Sequence, residues 1–321
     1  MLVVKEDVVR ELVTQEMAFA SVEAVFGSMA RRDAYNFPVI REDIGYANAL
    51  YGFKSGFDKN AKALGLKSGG YWPGNMARGL TNHQSTVFLF NPDTGQPSAM
   101  VGGNFLTAMR TAAASAVSIK HLARKDAQVL GIVGAGHQAP FQLRAALTQR
   151  DFTQIVGWNR DPSKLANLEA VAAEHGIPFK AVERQKLAEI SDVIITITSC
   201  FEPLLMRDWV QPGTHIACMG TDTKGKQEVD PNLVLSAAAF TDDFTQSIAI
   251  GECQHAYGGD PAAGDAITEL GNVINGAHPG RTSSNEVTLF DGTGVALQDL
   301  SVAKSVVELA EKMNKAVVLD F

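Results

Sequence analysis

Apolar positions recur at two different spacings along the chain. After Thr14, a residue type suited to cap a helix, Ala18, Val22, Val25, Phe26 and Met29 fall at helical intervals and predict an amphipathic helix. Residues 50–57, 62–72 and 85–90 are short apolar runs and predict strands. Asn91-Pro92-Asp93-Thr94-Gly95 is a turn sequence, and Gln96 to Val101 returns as a hairpin partner. The first hundred residues thus predict a helix followed by a mainly antiparallel sheet. Residues 106–122 predict a helix whose many small residues suit close packing.

From Ala127 strands and helices alternate: strand Val129–Val133, helix 138–149, strand Gln154–Trp158, helix 162–175, strands Val193–Thr198 and Thr214–Met219, then a short apolar stretch, Ala237–Thr241. Such alternation predicts an α/β fold with a parallel sheet. The last segment, 299–313, places Ala303, Val306, Val307, Ala310 and Met313 on one helical face and is expected to return to the first domain.

The strand Val129–Val133 runs into Gly134-Ala135-Gly136-His137-Gln138-Ala139, a GxGxxA turn at the mouth of a helix. Gly134 permits the tight turn, Gly136 lets the backbone approach a pyrophosphate, and Ala139 lets the helix pack close to the strand. The helix N-terminus then offers free N–H groups to the phosphates. Within this strand–turn–helix context the motif points to a dinucleotide. At the end of the next strand, where an acid usually takes the ribose hydroxyls, stands Asn159, followed by Arg160 and Asp161. The signal for NAD against NADP is mixed.

Composition narrows the setting. With Lys plus Arg at 28 and Asp plus Glu at 35, the net charge is −7, which argues against nucleic-acid or membrane-surface binding. No apolar run is long enough to span a bilayer, and the N-terminus lacks the pattern of a signal peptide. The three cysteines, Cys200, Cys218 and Cys253, show no metal spacing, so no metal is expected and a reducing cytoplasm is.

Four segments then carry a resemblance: Asn104–Ser115, Gly134–Ala139, Gly220–Glu228 and Phe290–Asp299. In this order they resemble the ornithine cyclodeaminase/μ-crystallin family over nearly the whole length. The segments 34–39, 69–73, 82–86 and 250–255 carry a closer likeness to one branch of it. The resemblance implies a homodimer and a Rossmann dinucleotide-binding domain (123–296) inserted into an α+β substrate and dimerisation domain (1–122 plus 297–321). It implies an NAD(P)H-dependent imine reductase, with iminosuccinate reduced to L-aspartate as the expected reaction and NADH as the favoured cofactor. A cyclodeaminase, an alanine dehydrogenase, a ketimine reductase and a non-catalytic binding protein are the alternatives.

The resemblance also implies site residues. Lys67 is the expected proton donor or acceptor, with Asp222 as the acid near the nicotinamide. Arg41 and Arg110 are expected near substrate and cofactor. Gly134, Gly136, His137, Gln138, Asn159, Arg160, Ser199, Met219, Gly220, Thr221, Asp222, Lys226 and Gly292 are expected to line the dinucleotide, with Arg110 beside it. Imine reduction requires a protonated nitrogen, and a lysine buried beside other cations can supply that proton near neutral pH. By residue type alone Lys67 is better read as a lysine snorkelling from an edge strand, and the resemblance reverses that preference. A dicarboxylate needs further cations, and Lys54 and His83 are available, although His83 could be a core histidine. Arg41 is expected in a loop after Pro38. Arg110 either binds a carboxylate or pairs with an acid of the other domain. Asp222 either stabilises an iminium, pairs with Lys67 or caps Lys224.

Overall fold

The computed structural model describes residues 1–321. The chain divides into two units, Met1–Arg110 with Val295–Phe321, and Thr111–Gly294. The boundary falls within the helix expected at 106–122, not after it.

The first unit begins with β1 (Leu2–Val4), α1 (Glu6–Leu12) and α2 (Gln15–Ala30). Thr14 starts α2 as expected, its Oγ1 accepting the Met17 N–H at 3.1 Å. There follow β2 (Ala34–Asn36), β3 (Ile40–Asp43), β4 (Leu50–Asp58), β5 (Ala63–Tyr71), β6 (His83–Phe90), β7 (Pro97–Gly102) and α3 (Asn104–Leu122). After the second unit, α11 (Ala296–Lys312) and β18 (Val317–Val318) return to the first. The sheet runs β18-β1-β7-β6-β5-β4-β2, with β3 also on β4. It is antiparallel except for the parallel β1–β7 pair. Helix α11 lies between this sheet and α2, and its stripe of Val302, Ala303, Val306 and Ala310 is fully buried. Gly65 lets it seat: a Cβ there would stand 2.9 Å from Leu300 Cδ2.

The second unit contains β8 (Val129–Val133), α4 (Ala139–Leu147), β9 (Gln154–Trp158), α5 (Ala166–Glu174), β10 (Phe179–Ala181), α6 (Arg184–Ile190), β11 (Val193–Thr196) and β12 (Phe201–Leu205). It continues through β13 (His215–Cys218), β14 (Gln227–Val229), α7 (Pro231–Ser236), β15 (Ala238–Thr241), α8 (Phe244–Ile250), α9 (Gln254–Tyr257), β16 (Ile267–Glu269), α10 (Leu270–Ile274) and β17 (Thr288–Asp291). Its main sheet is parallel throughout, in the order β10-β9-β8-β11-β13-β17-β15-β16. The order reverses direction at β8, which is where an open parallel sheet receives a ligand. The expected α/β class is therefore present, a parallel Rossmann-type sheet in one unit and a mixed sheet in the other.

Some expectations need correction. Arg41 is not in a loop: β3 pairs it with Gly52 of β4. The run Ile40-Arg41-Glu42-Asp43 has no apolar alternation to announce a strand. The helix expected at 162–175 opens as a single 3-10 turn, Pro162–Leu165, capped by Asp161. Strand β11 ends at Thr196, short of Thr198, because the Thr198 N–H donates to Glu228 instead of to a neighbouring strand. No helix is long and apolar enough to cross a membrane.

Candidate active site

Strands β4, β5 and β6 bring the expected substrate residues of the first unit together. Lys54 stands directly across from Lys67, and Tyr71 across from His83. Because side chains alternate between faces, Lys54, Lys67 and His83 share one face. Arg41, opposite Gly52, joins it from β3. Lys67 is on the interior strand β5 and is buried, so it is not a lysine snorkelling from an edge.

Helix α11 supplies what the sequence reading missed. Lys67 Nζ is 2.8 Å from Asp299 Oδ2. The other carboxylate oxygen accepts from Arg110 Nε at 3.0 Å and from Thr107 Oγ1 at 3.3 Å. Gln298 Oε1 accepts from Arg110 Nη1 at 2.9 Å. The acid that pairs with Arg110 thus comes from the same unit, not from the other domain. Asp299 is wholly enclosed, whereas the side chains of Lys67 and Arg110 remain 9% and 8% exposed.

The electrostatics follow. Burial first, then the Arg110 charge and Lys54, push Lys67 down to about 7, against the upward pull of Asp299. Burial raises the Asp299 carboxyl, but the charges of Arg110 and Lys67 outweigh it and the net shift is downward. Burial and the Lys67 and Arg110 charges depress His83 to about 3, so its imidazole is neutral at physiological pH.

In the second unit the glycine turn has the form its sequence requires. Gly134 has φ +109°, and a Cβ there would meet Ile197 O at 2.5 Å. At exposed Gly136 a Cβ would meet nothing within 4 Å, which leaves the backbone open to a phosphate. His137 is exposed beside Phe141, and Gln138 forms the N-terminal boundary of α4. Asn159 braces the turn: its Oδ1 accepts the Ala135 N–H at 3.0 Å and its Nδ2 donates to Asp161 O at 2.7 Å. Arg160 is exposed, with Nη2 3.8 Å from Cys200 Sγ.

At the ends of β11 and β13, Ser199 is exposed and Met219 is buried, with Gly292 packed so close that a Cβ would stand 2.6 Å from Met219 Sδ. Asp222 Oδ1 accepts from Lys226 Nζ at 2.7 Å, and Lys226 also donates to Gly220 O. The carboxylate that holds Lys67 is Asp299, and Asp222 forms an ion pair with Lys226. Two buried glutamates, given no role in the sequence reading, clamp this region. Glu228 accepts from Thr196 Oγ1, from the Thr198 N–H and Oγ1, and from the Gly220 N–H, at 2.6–2.9 Å. Glu252 accepts from Thr221 Oγ1 and from the Glu228 and Val229 N–H groups. Burial and the Glu228 charge raise Glu252 to about 8.

A reversing parallel sheet with a glycine-rich turn at the reversal, plus a mixed sheet whose Lys67 joins a buried Asp299 and Arg110 from helices α11 and α3, defines an α/β protein of the dinucleotide-binding class. The chain belongs to the ornithine cyclodeaminase/mu-crystallin family, whose profile matches residues 5–314. It is 61% identical over 316 residues to the iminosuccinate reductase of Paracoccus denitrificans, covering 98% of each chain. It superposes on the crystal structure of the iminosuccinate reductase of that organism in complex with NAD+ with a TM-score of 0.94 and 59% identity, covering 100% of this chain and 99% of that one. An archaeal alanine dehydrogenase dimer with bound NAD superposes with a TM-score of 0.93 and 30% identity, covering 100% and 99%.

Proposed function

We propose that this protein is an NAD(H)-dependent imine reductase that converts iminosuccinate, the imine of oxaloacetate, to L-aspartate. The observation that carries this reading is the cross-strand pair Lys54–Lys67 on a face that also holds Arg41 and His83, with Arg110 ion-paired to the same carboxylate as Lys67. Such a concentration of positive charge suits a small dicarboxylate. Its 61% identity to the Paracoccus denitrificans iminosuccinate reductase supports it.

In this reading Arg41, Arg110 and Lys54 receive the two carboxylates, and the neutral His83 ring offers an N–H. Lys67, titrating at about 7, gives its Nζ proton to the imine nitrogen, which makes the carbon electrophilic. The bound reduced nicotinamide supplies the hydride. The residues of the second unit fit that cofactor. The open backbone at Gly136 and the α4 N-terminus take the pyrophosphate. Asn159, Arg160, His137 and Gln138 border that turn, and Ser199, Met219, Gly220, Thr221, Asp222, Lys226 and Gly292 border the ends of the adjoining strands. Asp222 holds Lys226 in place. The NAD bound in the two superposed relatives supports NAD(H) for this chain. Arg160 is then a surface residue, and Arg160→Ala is expected to leave NADH-dependent rates within about twofold, as for surface positions generally.

A diamino-acid substrate for a cyclodeaminase would need a spare carboxylate beside Lys67. Asp299 already carries two cations. We also infer a homodimer. Ile40, Tyr51 and Phe53 are exposed on the sheet face opposite Lys54, and the archaeal alanine dehydrogenase is a dimer. The three free cysteines accord with action in the cytoplasm. The test of function is NADH oxidation with oxaloacetate and ammonia, with L-aspartate as product. A folded, NADH-binding protein that consumes no NADH in that mixture refutes the reading.

A further inference from the structure

Asp299 belongs to neither the substrate face nor the dinucleotide turn. It is in the first turns of α11, enclosed on all sides, yet both of its oxygens are engaged with groups expected to touch substrate. We infer that Asp299 is the positioning residue of the active site: one carboxylate sets where the Lys67 ammonium and the Arg110 guanidinium point and keeps Lys67 protonated. This rests on the imine-reductase reading and deepens it.

Geometry carries the first half. Lys67 Nζ and Arg110 Nε each meet a separate oxygen of Asp299, at 2.8 and 3.0 Å. Two flexible cations on different elements, β5 and α3, are thereby referred to one rigid anchor. Gln298, the residue before it, takes the next nitrogen of the same guanidinium at 2.9 Å. Thr107 holds the carboxylate from α3. Asp299 is 0% exposed, so it acts through Lys67 and Arg110 and touches no substrate itself.

The second half concerns charge. The charged groups that act on Lys67 are Arg110 from α3, Lys54 from β4 and Asp299 from α11, and the Lys67 charge acts in turn on His83 of β6. Arg41 of β3 adds its charge at His83. His83 is neutral, and of the charges named here only Asp299 is an anion, while the cations disfavour an ammonium at Lys67. Removing the one anion must lower the pH at which Lys67 loses its proton. Reduction needs that proton, so the reductase rate falls as pH rises through this value, and without Asp299 it falls earlier.

The experiment compares the wild type with Asp299→Asn and Asp299→Glu, each checked for folding by thermal melt and for NADH affinity by fluorescence. The first readout is the pH profile of kcat/KM for oxaloacetate plus ammonia. The second is the pH midpoint of Lys67 labelling by formaldehyde and cyanoborohydride, read by peptide mass spectrometry. For Asp299→Asn both the high-pH limb and the labelling midpoint are expected to move down by about one unit or more, the size of a lost neighbouring charge. NADH affinity stays unchanged. For Asp299→Glu, which keeps the charge and displaces it, the midpoint is expected to stay while KM rises about tenfold or more, the effect of a misplaced bidentate partner. A midpoint unmoved in Asp299→Asn, or a wild-type KM in Asp299→Glu, overturns the inference. If the wild type itself shows no reductase activity, the functional reading fails while the labelling midpoint still decides whether Asp299 governs Lys67. Should Asp299→Asn not fold, the KM of Asp299→Glu decides alone: a tenfold rise upholds the positioning role and a wild-type value overturns it.

Discussion

In the proposed reaction Lys67 is the proton donor. Replacing it with Met keeps its length and removes its proton, so turnover is expected to fall by about 10²–10⁴-fold, the usual worth of a general acid. NADH affinity is expected to stay intact, and a parallel loss of NADH binding in a fluorescence titration would show Lys67 to be structural. In the same proposal Lys54 bears on specificity. Lys54→Met is expected to raise KM for the dicarboxylate imine by roughly 10–100-fold, the worth of one charged hydrogen bond. It should leave the imine of pyruvate little changed, and equal effects on the two substrates would count against a carboxylate contact. Lys67, Arg110 and Lys54 could be singled out in the sequence as cations standing among glycines or small residues. Asp299 could also have been found. It is four residues before Ala303 and seven before Val306, on the apolar stripe of its helix, and a charge on such a stripe has a buried partner. What no spacing could show is that the partners are on β5 and α3, since long-range pairing is not encoded in local pattern.

At the scale of single elements, the strong periodicities survive folding and the weak ones do not announce themselves. α2, β4, β5, α3, β8 and β9 appear where alternation or helical spacing placed them, within a few residues. β1, α1, β3, β10 and the elements from β12 to β17 other than β13 and β15 were not foreseen, because most are short and bury only part of one face. The turn after β8 is the element whose sequence and geometry agree most fully. Gly134→Ala is expected to strain both a positive φ and a 2.5 Å approach to Ile197 O. It should weaken NADH binding at least about tenfold and lower stability by roughly 1–3 kcal/mol. A calorimetric titration and a thermal melt measure both; wild-type values would mean the turn relaxes around the methyl group.

For the whole molecule, part of the pH dependence of stability follows from burial of titratable groups in the second unit. Glu252 is raised to about 8 from 4.5. A raised carboxyl binds more protons folded than unfolded between those values, so its contribution is full below about 4.5 and is lost as pH rises towards 8. His215, buried and depressed to about 3 by burial and by the Arg281 and Arg150 charges, acts at the other end. The unfolded state binds the proton first, so stability falls as pH drops from about 6.5 towards 3. The maximum should therefore lie in the mildly acid to neutral range. Glu252→Gln is expected to flatten the decline of Tm between about pH 6.5 and 8, and an unchanged slope would mean that Glu252 does not titrate there.

The enclosing of Lys67 by α11 carries a consequence for synthesis. The nucleotide turn and its sheet are made from one uninterrupted stretch, whereas the carboxylate at residue 299 is made only after that stretch is finished. A polypeptide released by a stop codon at about position 295 would keep every side chain expected to grip NAD and lose both the acid and the helix that packs the first sheet. Such a fragment should bind the coenzyme and turn over nothing, which makes turnover, but not coenzyme binding, a reporter of how far the ribosome has read.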